Sequence, residues 1–392
     1  MIADKLSEKA VVALKEMGAE VEMNPELKAD DLPKAIGDAE VLVVRSTKVK
    51  AETIDAAPAL SLIVRAGAGV NTIDVAEASR RGIYVANCPG KNTDAVAELA
   101  IGLLIAADRR IVNATEDLRG GKWKKKEYGK ARGLKGRTLG IIGLGSIGKA
   151  VAKRAKGLEM NVVAWSRSLT PETAEELGIE YCESAEKLAE IADAITVHLA
   201  AKPETQHFVG KDLLSKMKDG AILINTSRGE VVDTEALKAA VKEKALRVGM
   251  DVYENEPGAS DPDFADTELA VAVSGTPHIG ASTDQASEAI AAETVRVIGT
   301  YQKTGHPVNA VNVCEKTAAI INLVVRHFNK VGVLAGVLDE LRNEGINIEE
   351  MGNTIFEGGE AACCTLKLDE KPSEKLIGKI GSAENVIKVM LK

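Results

Sequence analysis

The chain has 392 residues, room for two or three domains at the ~150 residues per domain used as a prior, and its 45% hydrophobic and 28% charged residues are those of a folded globular protein. A net charge of -8 argues against nucleic acid or an anionic membrane as partner, and no apolar run approaches the ~20 residues of a membrane span. With no apolar leader after Met1 the expected location is the cytoplasm, and five cysteines without CxxC spacing suggest neither a disulfide framework nor a metal site.

Along the chain, β-branched runs over 41–45, 62–65 and 83–86 alternate with helical stretches and read as buried parallel strands of a first α/β unit, residues 1–88. An Ala/Leu-rich segment over 93–118 has helical spacing and crosses to a second unit, residues 89–276. There, strands over 138–142, 162–165, 194–199, 221–225 and 248–252 alternate with helices, the pattern of a doubly wound parallel sheet. A helical pattern over 284–301 is unlike the second unit and is expected to return to the first, making a discontinuous domain of 1–88 and 277–312 with Gly305-His306-Pro307 as a linker. From 315 to 392 the order strand, helix, strand, strand, helix, strand is the ferredoxin-like βαββαβ arrangement, in which adjacent Cys363 and Cys364 face opposite sides of a strand.

Gly143-Leu144-Gly145-Ser146-Ile147-Gly148 directly follows the apolar strand over 138–142 and opens a helical run, the two flanks that a dinucleotide-binding turn requires. The first glycine permits the tight turn, the second admits a pyrophosphate to the backbone, the third lets helix pack on strand, and the helix N-terminus offers unpaired N–H groups. NAD sites usually carry an acid at the end of the next strand, but here that strand ends Trp165-Ser166-Arg167-Ser168. Ser166 and Arg167 can hold a 2′-phosphate, so NAD is the expected cofactor and NADP the open alternative.

Three turns after later strands carry acid-base residues: Asn225-Thr226-Ser227-Arg228-Gly229, Asp251-Val252-Tyr253-Glu254-Asn255-Glu256-Pro257 and Thr276-Pro277-His278-Ile279-Gly280. With them the sequence resembles the D-2-hydroxyacid dehydrogenase family over nearly the whole chain, and within it the phosphoglycerate-oxidising branch. The resemblance implies a flavodoxin-like substrate domain, a Rossmann NAD(P) domain and a ferredoxin-like ACT domain. It places the catalytic Arg, Glu and His at Arg228, Glu256 and His278, with Glu256 preferred to Glu254 because it precedes Pro257. His198, Thr226, Ser227, Asp251 and Gly280 would line the cofactor, Asp251 near the nicotinamide carboxamide. The chemistry stands without the family: oxidising a 2-hydroxy acid needs a base for the hydroxyl proton, and an imidazole titrates near working pH. A carboxylate would orient that imidazole, and a guanidinium fork would hold the substrate carboxylate and polarise the 2-oxygen.

On the substrate side, Arg65-Ala66-Gly67-Ala68-Gly69-Val70-Asn71 follows a strand, and its amides can face an anion as a nest. By resemblance Ala68 and Gly69 bind the substrate carboxylate, and Arg45, Ser46 and Asn92 contact substrate. Trp123-Lys124-Lys125-Lys126 reads as a solvated charged face or, alternatively, as an attractor of a phosphorylated substrate. In the last domain, Arg326 to Leu334 followed by Gly345-Ile346-Asn347-Ile348 resembles the opening of an ACT domain, which implies L-serine as effector at His327, Asn329 and Asn347 and at least a homodimer, with a homotetramer open. The activity expected is oxidation of 3-phospho-D-glycerate to 3-phosphohydroxypyruvate. The alternatives are a glyoxylate or hydroxypyruvate reductase and a nucleotide-sensing corepressor.

Overall fold

The computed structural model describes residues 1–257, 263–314 and 316–392, which form two compact units, Met1–Asn312 and Val313–Lys392. Three short apolar runs of the first unit, β1 (Val41–Val44), β2 (Leu62–Arg65) and β3 (Tyr84–Asn87), pair in parallel in the order β1-β2-β3. Single bridges extend this sheet: Ile2 lies parallel to Val43 on one side and to Met23 on the other. The order Met23, Ile2, β1, β2, β3 is therefore the flavodoxin-like 2-1-3-4-5. Both faces are covered, which is why the strands are continuous apolar runs rather than alternating ones. Leu42, Val44, Ile63 and Val85 pack with Leu32 and Ile54 on one face, and Val43, Leu62 and Val64 pack with Ile290, Val297 and Ile298 of the helix Asp284–Thr304 on the other. The chain beyond Gly305-His306-Pro307, the stretch expected as a linker, is still part of this unit. Ala310 bridges antiparallel to Ala86 and Val311 N donates to Val85 O at 2.8 Å, covering an edge of β3 that would otherwise be open.

A second sheet is wholly parallel: β4 (Thr138–Ile142), β5 (Asn161–Trp165), β6 (Glu180–Tyr181), β7 (Ala194–Val197), β8 (Ile222–Asn225), β9 (Arg247–Met250) and β10 (Val273–Gly275) lie in the order β10-β9-β8-β7-β4-β5-β6. This is the Rossmann winding with one added strand, and the order reverses between β4 and β7, where ligands bind in such sheets. Neither β6 nor β10 is long enough to leave an apolar run for sequence reading to find. The helix expected over 93–118 is two, Thr93–Arg109 and Ile111–Arg119, separated by Arg110 at φ 52. Its guanidinium is held off the helix axis, over the Tyr128 ring at 4.8 Å and against Glu127 at 2.9 Å, and no glycine marks the break.

The second unit has the antiparallel order β12-β13-β11-β14, formed by β11 (Ile321–Phe328), β12 (Ile348–Ile355), β13 (Ala361–Leu368) and β14 (Val386–Leu391). Helices Val333–Glu344 and Glu374–Gly381 complete the ferredoxin-like βαββαβ, and their Val337, Leu341, Leu376 and Ile380 pack on Leu323, Val325, Cys364 and Leu366. Cys364 is buried in that core and Cys363 is partly exposed on the other face, as period two requires. Among the described residues no helix is long and apolar enough to cross a membrane.

Candidate active site

The glycine turn after β4 is shaped by what a side chain would meet. A Cβ at Gly143, where φ is 92, would lie 2.4 Å from His198 O, and one at Gly148 would lie 2.3 Å from Gly143 O. At Gly145 nothing lies within 4 Å, so the middle position leaves open space for a pyrophosphate. Lys149 is the first residue of the helix Ser146–Gly157 to donate back, to Gly145 O at 3.0 Å, which leaves the amides of Ser146, Ile147 and Gly148 free for an anion. These residues fit a dinucleotide. His198 contributes its backbone to the wall of this turn; its imidazole bonds Thr196 Oγ1 at 2.9 Å through Nε2, and burial pushes its pKa down to about 4, which keeps it neutral. Past β5, Ser166 is partly exposed and Arg167 is exposed, with no acid in the 166–168 turn.

The His278 turn is built on Asp251, which follows β9 and is 1% exposed. Its carboxylate accepts from Thr276 Oγ1 at 2.6 Å and from the amides of Ile279 and Gly280, both at 2.8 Å, while its carbonyl accepts from His278 N at 2.8 Å. A Cβ at Gly280 would lie 2.8 Å from Oδ2 of the same carboxylate. Asp251 thus braces the turn that holds His278 at φ 52, a left-handed conformation costing on the order of 1–3 kcal/mol for a side-chain-bearing residue. His278 Nδ1 meets Glu256 Oε2 at 2.7 Å, and the other Glu256 oxygen accepts from Tyr253 N at 2.9 Å. The Glu256 hydrogen bond raises the imidazole above its usual 6.5 against the opposing effect of burial. Burial alone would raise Glu256, but the hydrogen bonds from His278 and the Tyr253 amide outweigh it and hold the carboxyl below its usual 4.5.

Arg228 is presented by Asn225, 1% exposed at the end of β8. Asn225 Oδ1 accepts from Ser227 N at 3.0 Å and Ser227 Oγ at 2.8 Å, and Nδ2 donates to Arg228 O at 2.9 Å. A Cβ at Gly229 would lie 1.9 Å from Tyr253 O, so the turn carrying Arg228 locks against the loop carrying Glu256. Thr226 and Ser227 are buried in it. The Arg228 charge acts on both His278 and Glu256, and its Nη2 lies 2.6 Å from the place of a Cβ on Gly69. The structure therefore brings Arg228, Glu256, His278 and the Gly69 turn together.

Sequence reading missed Arg65 in this constellation. Its side chain folds over Gly67, whose Cβ would overlap Nη1, and its Nε is buried without a partner. Burial first, then the Arg228 and Arg45 charges, lower its pKa, against smaller opposing effects of Cys88 and Asp4. The available signal was an arginine ending a parallel strand, a place like that of Arg45 just after β1. Arg45 and Ser46 sit in a turn fixed by Asp4, whose Oδ2 accepts from the amides of Arg45, Ser46 and Thr47 at 2.7, 3.1 and 3.0 Å. Asn92 precedes the helix Thr93–Arg109 and makes no side-chain cap. Lys124 is engaged by Asp117 at 2.9 Å, and Trp123 is 80% exposed.

In the second unit, His327 is 2% exposed and its Nε2 lies 3.3 Å from Asn353 Oδ1, while Asn329 Nδ2 donates to Gly359 O at 3.0 Å. Asn347 donates its amide to Asp369 Oδ1 at 2.8 Å, at the sheet end where Ile348 and Ile321 both pair with Leu368. His327 pairs with Ala362 at the other end, about 20 Å away at ~3.3 Å per strand residue. One copy does not bring Asn347 to His327 and Asn329.

A wholly parallel sheet with a glycine turn at its point of reversal, and with Arg228, Asp251 and His278 in the turns that follow β8, β9 and β10, has the layout of a dinucleotide-binding protein. The chain belongs to the D-isomer specific 2-hydroxyacid dehydrogenase family, whose NAD binding domain matches residues 101–280. A D-3-phosphoglycerate dehydrogenase of Methanocaldococcus jannaschii is 41% identical over 318 residues, covering 80% of this chain and 60% of the relative, so the chain spans well short of that protein's length. A glyoxylate reductase of Thermococcus litoralis is 43% identical over 289 residues, 72% of this chain and 86% of the relative. Among solved structures, an NADPH-dependent glyoxylate/hydroxypyruvate reductase from Sinorhizobium meliloti, in complex with NADP and malonate, superposes with a TM-score of 0.68 at 29% identity, covering 79% of this chain and 95% of that one.

Proposed function

We propose that this chain oxidises 3-phospho-D-glycerate to 3-phosphohydroxypyruvate with NAD, residues 1–88 and 277–312 binding the acid, 89–276 the cofactor, and 315–392 forming a regulatory ACT domain. The carrying observation is that Arg65, its Nε buried without a partner, feels the charges of both Arg45 and Arg228 beside a His278-Glu256 pair, since two anionic groups on one small acid are what such a cluster attracts. The amides of Ala68 and Gly69 and the Arg228 fork hold the carboxylate, leaving Arg45 and Arg65 for the phosphate, with Ser46 and Asn92 at its margin. His278 Nε2 takes the hydroxyl proton, and Glu256 stabilises the imidazolium through Nδ1. Bound nicotinamide supplies the hydride acceptor. Arg228 polarises the 2-oxygen and opposes the imidazole across it.

A second reading is reduction of glyoxylate or hydroxypyruvate, favoured by Ser166 and Arg167 where an acid would exclude NADP, and by the NADP complex of the S. meliloti relative. Steady-state rates on both acids with both nicotinamides decide: phosphoglycerate turnover at least about tenfold more efficient than turnover of the shorter acids supports the first reading, and the reverse order replaces it. L-Serine belongs to the same experiment. Because His327 and Asn329 lie at the opposite sheet end from Asn347, serine regulation requires a second copy to complete the site. Millimolar serine is expected to slow a homodimer or homotetramer, and an unchanged rate removes the effector.

A further inference from the structure

We infer that Asn87, with Asn309 and Glu293 behind it, is a positioning residue that aims the Ala68 and Gly69 amides at the substrate carboxylate. The inference rests on the reading of that turn proposed above. Asn87 ends β3, and its Nδ2 donates to Ala68 O at 2.6 Å; the next amide, Cys88 N, donates to Gly67 O at 2.9 Å. In a trans peptide the C=O and N–H of one unit point in opposite directions. Tying the Gly67 and Ala68 carbonyls to the end of β3 therefore turns the Ala68 and Gly69 N–H groups away from it, on the turn that Arg228 approaches. Without the Asn87 amide the second of these peptide units is free to rotate, and a nest with one amide turned aside loses its anion.

Asn87 is itself held from behind. Its carbonyl accepts from Asn309 Nδ2 and its amide donates to Asn309 O, both at 3.3 Å. The same Asn309 Nδ2 donates to Glu293 Oε1 at 2.7 Å, and Asn309 takes the left-handed φ of 59 that its short amide tolerates. Glu293 is 6% exposed on the helix Asp284–Thr304; Arg296 foremost, with Asn309 and Lys91, brings its pKa to about 2, so it stays charged across the working range. A charged acceptor with fixed partners sets which way the Asn309 amide faces, and the two-way bond between Asn309 and Asn87 passes that orientation to the turn.

The test uses the full chain and whichever of 3-phospho-D-glycerate and hydroxypyruvate the wild type turns over. Losing one neutral hydrogen bond predicts a KM for the acid about five- to tenfold higher in Asn87→Ala, with kcat changed less than about twofold and the cofactor Kd unmoved. Asn87→Asp, isosteric but presenting an acceptor to the Ala68 carbonyl, raises KM further than Ala does, an ordering that lost packing alone does not give. Asn309→Ala repeats the effect at smaller size and serves if Asn87→Ala fails to fold. A folded Asn87→Asp with wild-type KM overturns the inference and leaves the proposed activity standing, whereas a wild type that turns over neither acid overturns both.

Discussion

Two histidine-carboxylate pairs hang on one loop of this protein, and only one of them has an arginine and a glycine turn beside it. His278 meets Glu256 at 2.7 Å and His207 meets Glu254 at 2.5 Å, both imidazoles lie at positive φ, 52 and 51, and both are raised by their carboxylate partner. Side-chain exposure is similar, 48% and 31% in the first pair and 41% and 25% in the second. What differs is the company. His278 stands on a turn braced by the buried Asp251 and acts against Arg228, which touches the Gly69 turn. His207 donates its amide to Glu230 O, Glu254 also accepts from Thr234 N at 3.3 Å, and the other charge acting on His207 is Asp233. A shifted imidazole beside a carboxylate is therefore an ordinary product of packing; an opposing cation and an anion nest turn it into a candidate acid-base group.

The sharpest way to break that comparison is to remove each imidazole in turn. His278→Ala is expected to lower turnover by about two to four powers of ten, the range for losing general acid-base catalysis, with cofactor binding retained. His207→Ala is expected to leave turnover within about twofold. Equal losses in the two variants, measured by steady-state kinetics beside nicotinamide fluorescence titration, would show that the pairs do not differ in role.

Next in size is Arg228→Lys. A lysine keeps the charge but loses the planar fork, and kcat/KM is expected to fall by about tenfold to a hundredfold, the ~1.4–2.8 kcal/mol of a charge-assisted bidentate contact. A near-normal efficiency would make Arg228 a bulk charge rather than a clamp. The pH dependence then separates the partners. Oxidation needs the neutral imidazole, so its kcat/KM falls as pH drops through the raised His278 pKa. In Glu256→Gln the raising partner is gone and the acid limb moves to lower pH; Glu254→Gln, whose partner is His207, leaves that limb in place. An acid limb that moves in Glu254→Gln would join the two pairs into one titrating system. At the cofactor, Ser166→Asp places a carboxylate where it repels a 2′-phosphate, and the NADP-to-NAD ratio of efficiencies is expected to fall by about tenfold or more.

The features legible in the sequence were those whose meaning is local. The glycine turn announces itself because the strand before it and the helix after it are both apolar-patterned, and the ferredoxin-like unit because six elements follow one another in under eighty residues. Glu256 could be told from Glu254 only by its place before Pro257, since both are carboxylates on one turn; the second pairing, with His207, is a tertiary contact between residues 47 apart. Arg65 is hidden from sequence reading for the same reason: the charges that act on it, Arg228 and Arg45, come from elsewhere in the chain. The outer strands at Ile2 and Met23 are single bridges, and the break at Arg110 depends on Tyr128 and Glu127 beyond the helix. Periodicity has no access to any of these.

The smallest expected effect is on stability, and it tests whether His207-Glu254 does anything but hold a loop. The folded pKa of His207 lies above its usual 6.5, so its contribution is full below 6.5 and is lost as pH rises through the folded value; Glu254 lies below its usual 4.5, so its contribution is full above 4.5 and is lost as pH falls through the folded value. The pair therefore supports the fold most between these limits. Both side chains reach solvent, which screens the interaction to about 0.2–1 kcal/mol. His207→Ala should lower Tm by at most about 2–4 °C at pH 5.5, and the gap to wild type should close at pH 8.5. A gap that persists at pH 8.5 assigns the loss to packing or to the left-handed turn at His207 instead of to charge. A pH-dependent gap without any change in turnover leaves the second pair as a clasp on the loop that carries Glu256.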